Sequence, residues 1–148
     1  MKTRSLRLGL VLSAVLLATG CATGPKFAEL DAKTPTLKPT EGRVYFYRSS
    51  SMVGAAVQPD IRLNGAVVGT SKPGGYFYVD RPAGSYVAST ATETEKTASF
   101  TLDAGETKYL KTTPAFGVIV GRVVITIESA DTAKKELASL SNTNAAKP

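Results

Sequence analysis

Two kinds of side chain in this sequence offer chemistry or specific contact: a single thiol and a set of tyrosines. Cys21 is the one cysteine in 148 residues. It directly follows the small residues Ala18-Thr19-Gly20, and a thiol placed there can accept a covalent group near the start of the chain. With no second cysteine, an internal disulfide is excluded. Histidine is absent, which removes the commonest general base, the commonest zinc ligand and the serine or cysteine triads. Asp31, Asp60, Asp80, Asp103 and Asp131 stand singly in turns and at strand ends. Glu93 and Glu95 read as a solvated pair in a turn rather than a catalytic dyad. No phosphate-binding glycine loop or HExxH motif is present. These residues argue against an enzyme and call for no metal and no cofactor.

The tyrosines argue for contact. There are six, with no tryptophan. Residues 43–48 read RVYFYR and residues 75–80 read GYFYVD. Alternation along a strand puts Tyr45 and Tyr47 on one face, opposite Val44 and Phe46. It likewise puts Tyr76 and Tyr78 opposite Phe77 and Val79. If the strands are neighbours and the Phe and Val side chains point inward, four tyrosines form a patch framed by Arg43 and Asp80. A rigid ring with a hydroxyl makes a good contact surface, to a protein or a glycan. The same tyrosines also suit a half-buried face, paired across strands and covered by another element. Exposure distinguishes the two. Two loops are further candidates for contact: residues 49–56, SSSMVGAA, with Met52 and Val53, and residues 114–117, PAFG, with Phe116. Either loop equally serves as a plain connection.

The elements that carry these residues are short and β-rich. Apolar runs of strand length begin at Arg43, Val57, Ala66, Gly75, Ser85, Thr97, Thr107 and Val118. Turn residues separate them. Asn64-Gly65 between two runs is a hairpin signal, since both positions accept positive φ. About seven to eight short strands in this rhythm predict a mainly β fold, an antiparallel β-sandwich. The last run, residues 118–128, is apolar on both faces and predicts a strand covered on both sides. After it, Ser129 reads as a helix cap, and Ala130, Ala133, Leu137 and Leu140 share one helical face. One short C-terminal amphipathic helix packed on the sheet is expected. The tail, residues 141–148, reads as disordered.

The start of the chain supplies an address. Lys2, Arg4 and Arg7 precede an apolar stretch from Leu8 to Leu17, and small residues follow. This is the layout of a secretory signal, residues 1–20, too short for a spanning helix. Ala18-Thr19-Gly20-Cys21 resembles the bacterial lipobox, which implies cleavage before Cys21 and a lipid on its thiol. The alternative is a plain secretory signal with Cys21 incidental. Ala22, where an aspartate favours inner-membrane retention in Gram-negative bacteria, implies the outer membrane on the periplasmic side. Without the three basic residues of the signal, 15 basic and 12 acidic side chains leave a net charge of +3. That is no sign of nucleic acid. Residues 21–41 carry three prolines and read as a lipidated linker. Extended, about 20 residues reach roughly 65 Å, so the domain, residues 42–140, could stand off the membrane. In the alternative, Phe27 and Leu30 dock on the domain.

RVYFYR, the LNG hairpin with its VG, GYFYVDRPAGSY, LDAGETKYL and GVIVGR occur in this order. The arrangement is similar to a family of uncharacterised bacterial lipoproteins defined only as a domain of unknown function. The resemblance spans roughly residues 42–137. Its most specific part, Tyr76 to Tyr86, resembles the strand-Pro-Gly-Tyr pattern of transthyretin-like and carboxypeptidase-regulatory-like sandwiches. It implies a β-sandwich and a lipid anchor and supplies no activity. The expected function is therefore a lipid-anchored, non-enzymatic interaction module of the cell envelope, held to the membrane through Cys21 and contacting another envelope protein. The alternatives are an accessory subunit of an envelope complex, or a glycan or small-ligand binder using the tyrosine face.

Overall fold

The structure is a computed structural model, and it describes residues 21–144. Residues 1–20, where the secretory signal is expected, and the last four residues lie outside the described residues. Two sheets form a mainly β fold. One sheet has the strand order β8-β7-β1-β4-β9 and the other β3-β2-β5-β6. The first comprises β1 (Glu41–Tyr47), β4 (Gly75–Pro82), β7 (Thr107–Ala115), β8 (Arg122–Glu128) and the two-residue β9 (Ser141–Asn142). The second comprises β2 (Asp60–Leu63), β3 (Ala66–Thr70), β5 (Gly84–Ala91) and β6 (Glu95–Leu102). The Asn64-Gly65 turn joins β2 to β3 with both residues at positive φ, 49° and 83°, as its hairpin signal predicts.

Alternation decides the inside. Val44, Phe46, Phe77, Leu110 and Ile125 from one sheet meet Ile61, Leu63, Ala88, Phe100 and Leu102 from the other in a single buried cluster. The Phe46 and Phe77 rings stack at 5.2 Å across the β1–β4 register. A buried hydrogen bond from the Thr90 hydroxyl to the Val123 carbonyl, 2.6 Å, ties the second sheet to β8.

Four expectations need correction. The first sheet is mixed rather than antiparallel: β1 pairs parallel with β7, and β4 pairs parallel with β9. Parallel pairing needs a long crossover, and the whole second sheet lies between β1 and β7 in sequence. Residues 22–41 are not a free linker. Phe27 heads a short helix, α1 (Phe27–Leu30), and is buried against the sheet. Its amide donates to the Leu140 carbonyl at 2.9 Å, and the Ala22 amide donates to that of Pro73 at 3.1 Å. The start of the tail is ordered too. The Asn142 amide donates to the Pro25 carbonyl at 2.8 Å and that of Thr143 to the Tyr76 carbonyl at 2.8 Å, so the segments around Pro25 and Asn142 clamp each other on the edge of β4. Lastly, the final long strand begins at Arg122 rather than Val118.

The C-terminal helix, α2 (Ala130–Leu137), forms as its sequence predicts. The Ser129 hydroxyl accepts the Thr132 amide at its start. Ala133 and Leu137 are fully buried, and Leu140 just beyond is buried as well.

Candidate functional site

The tyrosine face exists and is covered. Register places Tyr45 opposite Tyr78 and Tyr47 opposite Tyr76, with Tyr109 of β7 beside Tyr45. All lie on the face away from the sandwich interior, as alternation requires. Yet Tyr45 is 5 % exposed, and Tyr47 and Tyr76 are 2 % exposed. Phe27 from the N-terminal segment and Ala133, Leu137 and Leu140 from the C-terminal one close over them in a second buried cluster. Phe27 meets the rings of Tyr45 and Tyr76 edge-on at 5.8 and 5.3 Å, and Tyr109 stacks on Tyr45 at 5.5 Å. Tyr78 is half-buried at the margin, beneath the Arg43 guanidinium 4.3 Å from its ring centre. Arg43 in turn holds both carboxylate oxygens of Asp80, at 2.7 and 2.8 Å. The expected exposed tyrosine patch is therefore corrected to an internal aromatic layer. Burial raises the pKa of Tyr45, Tyr76 and Tyr109. Burial and the neighbouring Glu136 carboxylate raise that of Tyr47.

The loop candidates lie together at one end of the sandwich. Met52, Val53 and Phe116 are highly exposed, and so are Val118, Ile119 and Val120, which were expected inside a strand. Phe116 is 91 % exposed, Val118 93 % and Ile119 88 %. A Cβ placed on Gly54 would stand 2.7 Å from that of Pro114, and one on Gly121 would stand 3.9 Å from Val57. The loop between β1 and β2 thus abuts the loop between β7 and β8. Together they form an apolar tip.

Each loop is held by a charged side chain. Arg48 follows β1 and is 1 % exposed. Its guanidinium donates to the carbonyls of Val57 at 2.7 Å, Gly54 at 2.7 Å and Ser71 at 3.2 Å. Among the described residues no carboxylate pairs with it, and its Nε lacks a partner. Burial lowers its pKa. A buried cation is costly, and here it organises the 54–57 backbone. Beside it a cleft of about 230 Å³ runs between Ser51, Val53, Lys111 and Pro114. Lys111 itself is paired to Glu136 of α2 at 2.6 Å.

Glu93 does the same for the second loop. Its carboxylate accepts the amides of Val118 at 2.9 Å and Gly121 at 3.1 Å, and those of Ile119 and Val120 between them. Successive backbone amides converging on one anion form a nest. They hold the Glu93 carboxyl at about 2, chiefly through Val120 and Val118. Gly121 takes φ 98° to close the loop. A Cβ on Gly117 would fall 2.6 Å from both the Glu93 carboxylate and the Gly121 backbone, so only glycine fits. Arg122 closes the base with two hydrogen bonds to the Phe116 carbonyl, 3.1 and 3.0 Å.

Cys21 is exposed. Its neighbour Ala22 is fixed to the turn before β4 by the hydrogen bond to Pro73. Among the described residues no helix is long and apolar enough to cross a membrane, and no group of three or more carboxylate, cysteine or histidine side chains could hold a metal.

An uncharacterised protein of Haemophilus influenzae is 27 % identical over 135 residues, covering 88 % of this chain and 80 % of its own length. No solved structure matches. The family model for DUF2846, protein of unknown function, matches residues 38–123. That stretch contains the four candidate tyrosines, Arg48, Glu93 and both loops of the tip, and it is more than half of the chain. The chain belongs to the DUF2846 family of proteins of unknown function.

Proposed function

We propose that this protein is a lipid-anchored, non-enzymatic interaction module of the cell envelope, attached through Cys21 to the outer membrane on its periplasmic side. The observation that carries the reading is the apolar tip. Large apolar side chains exposed together mark contact surfaces. Here Met52, Val53, Phe116, Val118, Ile119 and Val120 are exposed on backbone that Arg48 and Glu93 hold in place. A shape held by dedicated charged groups binds with less ordering cost than a loose one. The basic, apolar and small zones before Cys21 support the address, and the exposed thiol supports the anchor. Two kinds of contact suit such a tip, an envelope protein or the surface of the membrane that holds Cys21.

The test is in-cell photo-crosslinking from Met52 and Phe116, with Ala104 in the turn at the opposite end as control. The expected result is adducts from the tip, to lipid or to protein, and none from Ala104. No adduct from the tip of a folded, membrane-associated protein would refute the contact role. Cys21→Ser should move the protein from the membrane to the soluble fraction. A chain that stays on the membrane without the thiol would refute the anchor.

A further inference from the structure

The anchor and the tip lie at the same end of the domain. β1 and β7 run parallel and both finish there, while β4 and β8 start there. Ala22 reaches that end: the Cβ of an alanine at Gly75, the first residue of β4, would sit 3.0 Å from its own. One residue earlier, a Cβ on Gly74 would lie 3.6 Å from Ser50, at the root of the Met52 loop. The segment after Cys21 is therefore short and pinned, and the domain cannot stand off from whatever holds the thiol.

β7 carries the second loop further out. Its pairing with β1 ends at Lys111 opposite Tyr47, and the strand continues to Ala115. Four more residues at about 3.3 Å each add roughly 13 Å before Phe116. In the strand order β8-β7-β1-β4-β9 the loop strands and the clamped N-terminus occupy opposite sides of the sheet. At about 4.8 Å per strand, β7 and β9 are roughly 14 Å apart. A surface that touches Cys21 and this end of the domain must also touch Phe116 and Val118–Val120.

We infer that the apolar tip docks on the bilayer, Phe116, Val118, Ile119 and Val120 entering the interface beside the lipid on Cys21. This rests on the lipid-anchor reading above. A protein partner on the tip would have to fit between the domain and the membrane, where the pinned N-terminus leaves no length for it. Lys72, exposed in the turn before β4, lies at the level of the headgroups, where a basic side chain favours anionic lipid. The lipid on Cys21 fixes one point of the domain to the membrane, and the inserted apolar tip is a second foothold that orients it.

The chain lacks tryptophan, so Phe116→Trp is a single reporter. The membrane-purified protein is placed in vesicles of phosphatidylethanolamine with a minority of phosphatidylglycerol. Its mass shows whether Cys21 is acylated. The expected result is emission shifted to shorter wavelength and quenched by brominated acyl chains. Ala104→Trp should stay water-exposed, and Ile119→Asp in the Phe116→Trp protein should abolish the shift. Unchanged Phe116→Trp emission in an acylated, vesicle-bound protein would overturn the docking, as would a discrete protein adduct from Ile119 in cells. If Cys21 proves unacylated, the anchor reading fails by itself. Coupling the one thiol to a maleimide-bearing lipid then tests the geometry alone, with the same two outcomes.

Discussion

The tyrosine layer and the apolar tip are opposites in one molecule. The first has the composition of a binding surface and is internal. The second is built from residues that belong in a core or a strand, and it is exposed. Alternation along β1 and β4 correctly separates the Phe/Val face from the Tyr face, but a strand pattern says which residues share a side and not whether that side is covered. The cover comes from far away in sequence: Phe27 before β1 and Leu137 and Leu140 after β8. At the tip the reverse holds. Val118, Ile119 and Val120 are β-branched and follow a strand, yet Glu93, twenty-five residues earlier, gathers their amides and turns the backbone out of the sheet.

The contrast is sharpest in stability. Leu137→Ala opens a cavity over Tyr47 and Tyr76 and should cost about 3 kcal/mol in chemical denaturation. Phe27→Ala should cost about 2 kcal/mol or more, since the layer can collapse only in part. It should also deprotect the amides of Ala22 and Phe27 in hydrogen exchange. Ile119→Asp at the tip should change stability by less than about 0.5 kcal/mol. Equal losses at the two places would erase the distinction.

Arg48→Met removes the three hydrogen bonds to the carbonyls of Val57, Gly54 and Ser71 and leaves Gly54 with only the Val57 amide. A cost of about 1–3 kcal/mol is expected, with faster exchange confined to residues 52–57. A variant as stable and as ordered as the parent would show that the guanidinium does not organise this loop.

The smallest effect is on pH. The Glu93 carboxyl stands at about 2 in the folded protein against an ordinary 4.5. A depressed carboxyl contributes above its unfolded value and loses that contribution as pH falls through the folded one. Between about 4.5 and 2 the amides of Val118 to Gly121 should therefore lose protection, while those of the tyrosine layer keep theirs. Glu93→Gln should remove this pH dependence from the loop. A loop whose exchange is equally pH-dependent without Glu93 would contradict the nest.

Local signals were legible: the Asn64-Gly65 hairpin, the Ser129 cap, the strand rhythm and the apolar face of α2. Met52, Val53 and Phe116 could be picked as loop residues, because apolar side chains flanked by glycine and proline stand out. Their meeting could not be read, since it depends on β1 and β7 running parallel with the second sheet inserted between them. The nest was hidden for the same reason: one glutamate in a polar turn carries no mark of the four amides that will converge on it. Gly117 and Gly121 were the available trace, two glycines flanking an apolar run that a plain strand would not need.

Hydroxyl-radical footprinting compares both regions at once, first in detergent and then in the native envelope. In detergent Met52, Phe116 and Ile119 should be labelled heavily, and Tyr45, Tyr47, Tyr76 and Tyr109 hardly at all. In the envelope the tip residues should become protected while the tyrosines stay as they were. Tyrosines labelled as strongly as Met52, or a tip labelled equally in both settings, would contradict the assignment of structure to one region and contact to the other.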